Sequence, residues 1–181
     1  MKITFLGHAT LEIQINEFNL LVDPFISGNP MASNVDLDDL KPDFILITHA
    51  HQDHTLDVEK LAKDNNSLII SNFEIVSHFQ SKGLNGHPMN HGGTWNFDFG
   101  ELKYVNAIHT STFPDGSNGG QPGGFIITSN NKSIYIAGDT ALTYDMKLIP
   151  INYNLDLAIL PIGDNFTMGY KDAIIASDFI E

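Results

Sequence analysis

The sequence contains no cysteine and no arginine, and each absence removes a class of function. Without cysteine the chain has no disulfide framework, no cysteine-based zinc finger, no iron–sulfur cluster and no cysteine nucleophile. All nine of its basic residues are lysines, and 22 Asp and Glu residues outweigh them to give a net charge of −13. This balance argues against a nucleic-acid partner and against docking on an anionic membrane, because both need a basic surface.

Long hydrophobic runs are also missing, and none approaches the ~20 residues that cross a bilayer. The first residues lead directly into a strand-like segment and lack the features of a signal peptide. We therefore expect a soluble cytoplasmic protein. With 181 residues, 42% of them hydrophobic and 17% charged, the chain is expected to form a single folded domain over residues 1–181.

Hydrophobic patterning in the first half predicts strands followed by alternating strands and helices. Thr10–Ile15 alternates, and Phe18–Val22 returns after a turn at Asn16-Glu17, which indicates a hairpin. Residues 44–48 form a continuous apolar run typical of a strand buried on both faces. Helices are predicted at residues 56–64, with Thr55 as N-cap, and at Phe73–Ser81, with a strand at residues 67–71 between them. This βαβα order predicts parallel strands and an α/β fold.

The second half returns to strand-like segments before a closing amphipathic helix. Asn130-Asn131 separates two runs that predict a second hairpin. Residues 113–124 hold five glycines and two prolines, and we interpret them as a mobile loop. The strands are predicted at residues 94–97, 101–108, 124–128, 133–137 and 155–160, and the helix at residues 172–180.

The strongest chemical signal is the run His49-Ala50-His51-Gln52-Asp53-His54, directly after the predicted buried strand. Imidazole and carboxylate together suit zinc, iron or manganese. His49 and His51 are two residues apart, so on extended backbone they project the same way and can bind one ion. The competing interpretation is a polar turn that happens to be rich in histidine. Four ligand-type side chains in six residues favour the metal site.

Six residues cannot fill the coordination shells of two metals, so further ligands must come from elsewhere. Three other residues also stand just past predicted strands: Asp23, His109 and Asp139. Alone, each would more often be a cap or turn residue. Together with the histidine run they predict a metal centre at the ends of several strands.

These motifs resemble those of the metallo-β-lactamase superfamily. Asp23, the His49–His54 run, His109 and Asp139 within Gly138-Asp139-Thr140 match four of its five motifs, in order. Two further segments, Phe5-Leu6-Gly7-His8-Ala9-Thr10 and Met89-Asn90-His91-Gly92-Gly93, are similar to one branch. That branch contains L-ascorbate-6-phosphate lactonase and many uncharacterised metal-dependent hydrolases.

The resemblance implies an αββα sandwich with a dinuclear metal site, most simply zinc, with manganese or iron as alternatives. His49, His51 and His109 would hold the first metal, and Asp53 and His54 the second, with Asp139 as the bridge. Asp23 would orient the histidine loop through hydrogen bonds. His8 would lie near the site, in contact with the substrate or with the metal ligands.

The chain departs from the pattern at its end, because the fifth motif is a late histidine and the last histidine here is His109. We therefore expect a C-terminally truncated fold that lacks its final strand segment. The second metal would be one ligand short unless His8, His91 or a neighbouring chain supplies it, and from the sequence alone we expect none of them to do so.

The predicted activity is hydrolysis of a small-molecule lactone, ester or amide by metal-activated water, with Asp53 as a candidate for proton transfer and His8 beside the site. The alternatives are hydrolysis of a small phosphodiester and a non-catalytic metal-binding relic. A di-iron redox protein is disfavoured, because such members of the superfamily carry Glu where His51 stands. We keep a homo-oligomer as an alternative to a monomer.

Overall fold

The computed structural model describes residues 1–181, and the chain divides into two compact units. The first unit comprises Met1–Met89 and Ser111–Gly120, and the second comprises Asn90–Thr110 and Gln121–Glu181. The prediction of a single domain over the whole chain stays a prediction. Both units combine one sheet with helices, so the predicted α/β class is confirmed.

The first unit is built on a six-stranded sheet in the simple order β1 to β6. The first three strands are antiparallel, and β3 to β6 run parallel, as the βαβα pattern predicted. All three residues of β4 are buried, as expected for a central strand. The strands are β1 (Lys2–Gly7), β2 (Thr10–Ile15), β3 (Phe18–Val22), β4 (Phe44–Leu46), β5 (Leu68–Asn72) and β6 (Gly86–Met89), and the helices are α1 (Gln52–Thr55), α2 (Val58–Asn65) and α3 (Phe73–Ser81).

The second unit is built on a five-stranded sheet in the order β11-β10-β9-β8-β7. Its strands are antiparallel except for β11, which pairs in parallel with β10 at one edge. Tyr135 and Ile126 are buried in its core together with Met146 and Met168. The elements are β7 (Thr94–Phe97), β8 (Gly100–Asn106), β9 (Gly123–Ser129), β10 (Lys132–Ile136), α4 (Ile149–Asn152), β11 (Leu157–Ile159) and α5 (Tyr170–Phe179).

Both predicted hairpins form. Asn16 turns between β2 and β3 with a left-handed backbone (φ 53°), and Asn130 and Asn131 between β9 and β10 have φ of 53° and 58°. Asparagine tolerates this conformation better than most residues, and two consecutive left-handed residues match the twist of the flanking strands. The asparagine pair therefore sets the register of the second hairpin.

The predicted helix at residues 56–64 is wrong in its start, and Thr55 is not its N-cap. Thr55 ends α1, where its hydroxyl donates to the carbonyl of His51 at 3.0 Å. Asp57 precedes α2, and its carboxylate accepts the backbone N–H groups of Ile26 and Ser27 at 2.6 and 3.0 Å. A contact across 31 residues of sequence overrides the local capping preference here.

Two further segments have structure that the sequence pattern did not indicate. Strand β6 contains His87 and Pro88; it is an edge strand paired only with β5, a position that tolerates proline. In the glycine-rich segment, Phe113 is buried in the core of the first unit, and Thr112 and Asn118 form an isolated bridge. None of the helices in the chain has the length and hydrophobicity needed to span a bilayer.

Candidate metal centre

The histidine run lies at the carboxyl end of β4, where the chain leaves the first sheet. His49 and His54 are fully buried, whereas His51 and Asp53 are partly exposed. Ala50 is fixed by its backbone N–H, which donates to the hydroxyl of Ser111 at 3.1 Å. The loop is thus anchored on the protein side and presents part of its polar face to solvent.

Two imidazoles of this loop converge as two ligands of one ion do. Nε2 of His49 lies 3.0 Å from Nδ1 of His51, and their rings are nearly perpendicular. Two nitrogens bound at 2.0–2.1 Å to one tetrahedral zinc lie about 3.3 Å apart. Nδ1 of His49 in turn lies 3.0 Å from the hydroxyl of Thr48. This donor spacing fits a divalent metal of the zinc, manganese or iron type.

Asp23 anchors the histidine loop through hydrogen bonds. It stands just after β3 with a left-handed backbone (φ 45°), and its side chain is 1% exposed. Its carboxylate accepts the N–H of Thr48 at 2.8 Å and the hydroxyl of Thr48 at 2.6 Å, and it lies 2.9 Å from Nδ1 of His54. A carboxylate on Nδ1 fixes the tautomer in which Nε2 is the ligand nitrogen. This is the contact pattern that the resemblance implied for Asp23.

His8 reaches the same loop from the turn between β1 and β2. Its Nε2 lies 3.1 Å from Oδ2 of Asp53, and its ring lies edge-on to that of His54, 5.1 Å away. The hydrogen bond from His8 is the largest cause that lowers the pKa of Asp53 to about 2, against the opposing effect of burial. Asp53 is therefore ionised at neutral pH, the form in which a carboxylate binds metal.

The second unit brings its two predicted site residues together. Nε2 of His109 lies 3.7 Å from Oδ2 of Asp139, and both side chains are largely buried. The loops that carry them are joined, because the N–H of Ile108 donates to the hydroxyl of Thr140 at 2.9 Å and Ala141 donates to the carbonyl of Ile108. Residues from the ends of β8 and β10 thus form a second pair of ligand type.

Sequence reasoning missed two residues that organise the site, Thr48 and Thr10. Thr48 forms hydrogen bonds with both Asp23 and His49. The sequence feature that could have identified it is a hydroxyl residue between a buried strand and the first histidine. The Thr10 hydroxyl donates to the carbonyl of Asp23 at 2.8 Å and accepts the N–H of Phe25 at 3.0 Å. No local pattern marks this contact, because its partners lie 13 and 15 residues away.

A cavity of about 270 Å³ lies beside α1 in the first unit. The ring of His78 stacks on Phe113 at 3.9 Å, and burial is the main cause that lowers the pKa of His78, followed by the charge of Lys82. The lining residues are Gln52, Thr55, Leu56, Glu59, His78, Phe79, Lys82, Phe113, Pro114 and Asp115.

Comparison with known proteins decides the family. The profile described as the beta-lactamase superfamily domain matches residues 2–180. The chain belongs to the metallo-β-lactamase superfamily. A UPF0173 metal-dependent hydrolase of Flavobacterium johnsoniae is 66% identical over 181 residues, which is all of this chain and 80% of the relative. A relative of the same description from Bacillus thuringiensis subsp. konkukian is 43% identical over 186 residues and is covered to 82%.

Solved structures agree on the fold. Igni18, a metallo hydrolase from the archaeon Ignicoccus hospitalis, is 31% identical with a TM-score of 0.88, over 98% of this chain and 77% of that one. An isothiocyanate hydrolase from gut bacteria of Delia radicum superposes with a TM-score of 0.79 at 23% identity, over 99% and 81% of the two chains, and shows the fold alone. The finer resemblance to the ascorbate-phosphate lactonase branch stays a prediction.

Proposed function

We propose that this chain is a metal-dependent hydrolase that acts on a lactone, ester or amide of a small metabolite. Membership of the superfamily and the names of its relatives support the metal-dependent hydrolase. The observation that carries the proposal is the convergence of His49 Nε2 and His51 Nδ1 to 3.0 Å at the carboxyl end of a buried strand. This spacing matches that of two nitrogen ligands of one ion.

The proposed ligand assignment follows the motifs of the superfamily. His49, His51 and His109 would hold the first ion, with zinc as our first choice and manganese or iron as alternatives. Asp53 and His54 would hold a second ion, and Asp139 would bridge the two. The hydrogen bond between Asp23 and His54 supports an orienting role for Asp23, because it fixes which nitrogen faces the metal.

A zinc ion held by these residues would supply Lewis acidity for a substrate oxygen and would lower the pKa of a bound water to about 7. The protein's own groups position that chemistry and handle the protons. Asp53 is the proposed proton acceptor, although its low pKa makes it a weak base and favours its role as a ligand. His8 bonds to Asp53 and limits where that carboxylate can point.

The proposed substrate is a small molecule rather than a polymer. A net charge of −13 and the absence of arginine disfavour a nucleic-acid or anionic-membrane partner. The proposed location remains the cytoplasm, and self-association is compatible with every contact described above.

The test is hydrolysis of chromogenic lactone, ester, amide and phosphodiester substrates by zinc-, manganese- and iron-loaded protein. We expect turnover of a carboxylic derivative that a chelator abolishes. His51→Ala should lower it by about 100-fold or more, since removing even a residue that only orients a ligand costs about 10- to 100-fold. The control is His87→Ala, which changes a histidine in β6. Turnover of the phosphodiester alone would move the assignment to that substrate, and turnover unaffected by His51→Ala would contradict it.

A further inference from the structure

The first unit contains a second group of ligand atoms that no motif of the superfamily predicts in full. The ligand atoms of His8, Asp53 and His54 all lie within 4.8 Å of one another. Asp53 and His54 are proposed ligands of the second metal, and His8 comes from the turn between β1 and β2, 45 residues before Asp53 in the chain. The sequence-based expectation was that His8 would not supply a ligand.

The spacing of His8 and Asp53 matches that of two ligands of one ion. Nε2 of His8 and Oδ2 of Asp53 are 3.1 Å apart. Nitrogen and oxygen ligands bound at 2.0–2.2 Å to one zinc lie about 3 to 3.5 Å apart, depending on the angle. An ion could therefore replace the hydrogen bond between them with little movement of either side chain.

The backbone around His8 is held in an unusual conformation that aims the ring. His8 has φ of 54°, the left-handed region that a histidine rarely adopts, and Gly7 before it has φ of 108°. A side chain on Gly7 would meet the buried amide of Asn29 at 2.9 Å, so the turn needs glycine there. Strain of this kind persists where the surrounding structure enforces it, and it clusters at functional sites.

Neighbouring contacts fix the turn and the ring. Thr10, two residues on, bonds to the backbone of Asp23 and Phe25, which ties the turn to the residue that orients His54. The ring of Phe25 lies edge-on to His8 with centroids 5.6 Å apart. The imidazole is therefore positioned by the same network that positions His54.

We propose that His8 is a further protein ligand of the second metal, so that the first unit contributes His8, Asp53 and His54 to that ion. This inference rests on the proposed function, because it deepens the assignment of that metal. Two histidines and one carboxylate leave open positions on the ion, as in catalytic sites.

The test measures zinc and cobalt binding to chelator-stripped protein by calorimetry, with metal content after gel filtration. We expect two ions per chain in the wild type. His8→Asn, which keeps the left-handed turn, should lower the affinity for one ion by about 10-fold or more and leave the affinity for the other unchanged. His87→Asn, in the same unit and outside the site, is the matched control and should match the wild type.

Two further readouts separate a ligand from a residue that only positions Asp53. His8→Gln can still donate a hydrogen bond to Asp53. If His8 is a ligand, we expect His8→Gln to bind metal as weakly as His8→Asn. If His8 only positions Asp53, His8→Gln should regain the metal affinity of the wild type. The visible spectrum of bound cobalt should lose one imidazole contribution in His8→Gly, and added imidazole should restore it. His8→Gly also serves if the asparagine variant fails to fold.

The outcomes separate this inference from the proposed function. Unchanged affinity for both ions in His8→Asn would overturn the inference and leave the hydrolase assignment intact. One ion in the wild type would also overturn it and would leave the first metal in place. No bound ion in folded wild-type protein would overturn both proposals.

Discussion

The two units contribute ligand-type residues in different ways. The first presents its histidines and Asp53 on one loop and one turn, fixed beneath by the buried carboxylate of Asp23. The second presents His109 and Asp139 on two separate loops, 3.7 Å apart and joined through backbone contacts of their neighbours. The first unit therefore preorganises several ligand-type side chains at once, while the second presents one pair on separate loops.

The units also differ in how they cover their hydrophobic side chains. In both units the strands at the middle of the sheet are almost entirely buried. In the second, large apolar side chains between Tyr144 and Ile175 face solvent, including Phe166, which is 81% exposed, and Tyr144, which is 77% exposed. Edge strand β11 also leaves Leu157 exposed. We infer that this segment of the second unit opens more easily than the central strands of either unit.

The largest expected effect is on catalysis and compares one histidine from each unit. His49→Ala and His109→Ala should each lower hydrolysis by about 100-fold or more, because each removes a proposed ligand of the first metal. His49→Ala should also lower the unfolding free energy of the metal-free protein by about 2 kcal/mol, since His49 is fully buried and bonded to Thr48. Steady-state kinetics and chemical denaturation measure the two quantities. Activity retained in His109→Ala would contradict its assignment as a ligand of the first metal.

Asp23 should matter for folding as well as for metal binding. Asp23→Ala leaves buried donors of Thr48 and His54 without their acceptor and should cost about 3 kcal/mol of unfolding free energy. Asparagine tolerates the left-handed backbone, so Asp23→Asn should lower the unfolding free energy by less than Asp23→Ala. The matched residue in the second unit is Asp156, which accepts the N–H of Ser133 at 2.9 Å from an exposed position. Asp156→Ala should change urea unfolding little, and equal losses from both alanine variants would refute the contrast.

Hydrogen exchange should separate the units without any substitution. Amides of β4 and β5 should exchange only through global unfolding, whereas those of β11 and α5 should exchange through local opening, because they lie beside exposed apolar side chains. Mass spectrometry of exchanged peptides measures this. Equal protection in both sets would remove the inference about easier opening.

The smallest effect is a pH dependence at His78. Its folded-state pKa lies below the ordinary value of 6.5, so the folded state favours the neutral ring. The resulting stability is present above pH 6.5 and is lost as pH falls from 6.5 through the folded pKa. His78→Phe keeps the stacking on Phe113 and cannot titrate, so it should lose less thermal stability than the wild type between pH 7.5 and 5.5. Parallel losses would exclude His78 as a contributor.

Periodicity predicted the elements whose cause is local. The bounds of β2, β3 and α3 follow from alternation and helical spacing, and the turn at Asn130-Asn131 follows from the conformational tolerance of asparagine. Strand β6 escaped prediction because its sequence, Gly86-His87-Pro88-Met89, carries no strand signal and it forms only by pairing with β5. Tertiary contact decides such segments.

The candidate site shows the same difference between features with a local cause and features that depend on tertiary contacts. The position of the histidine run, His109 and Asp139 after strands was readable from the sequence, because the end of a buried strand is a recognisable place. The family resemblance implied that His8 lies near the site, but its contact with Asp53 was not readable from the sequence, since it depends on a left-handed turn and on a sheet that joins residues 45 positions apart. Thr48 and Thr10 act through partners that only the fold reveals.

The central claim is that the preorganised loop of the first unit binds a catalytic metal. Elemental analysis of untagged protein purified without chelator, for the wild type and for a His49→Ala/His51→Ala double variant, tests it most directly. We predict about two ions per folded wild-type chain and the loss of at least one in the double variant. Folded wild-type protein without metal, and unable to take up micromolar zinc, would contradict the account.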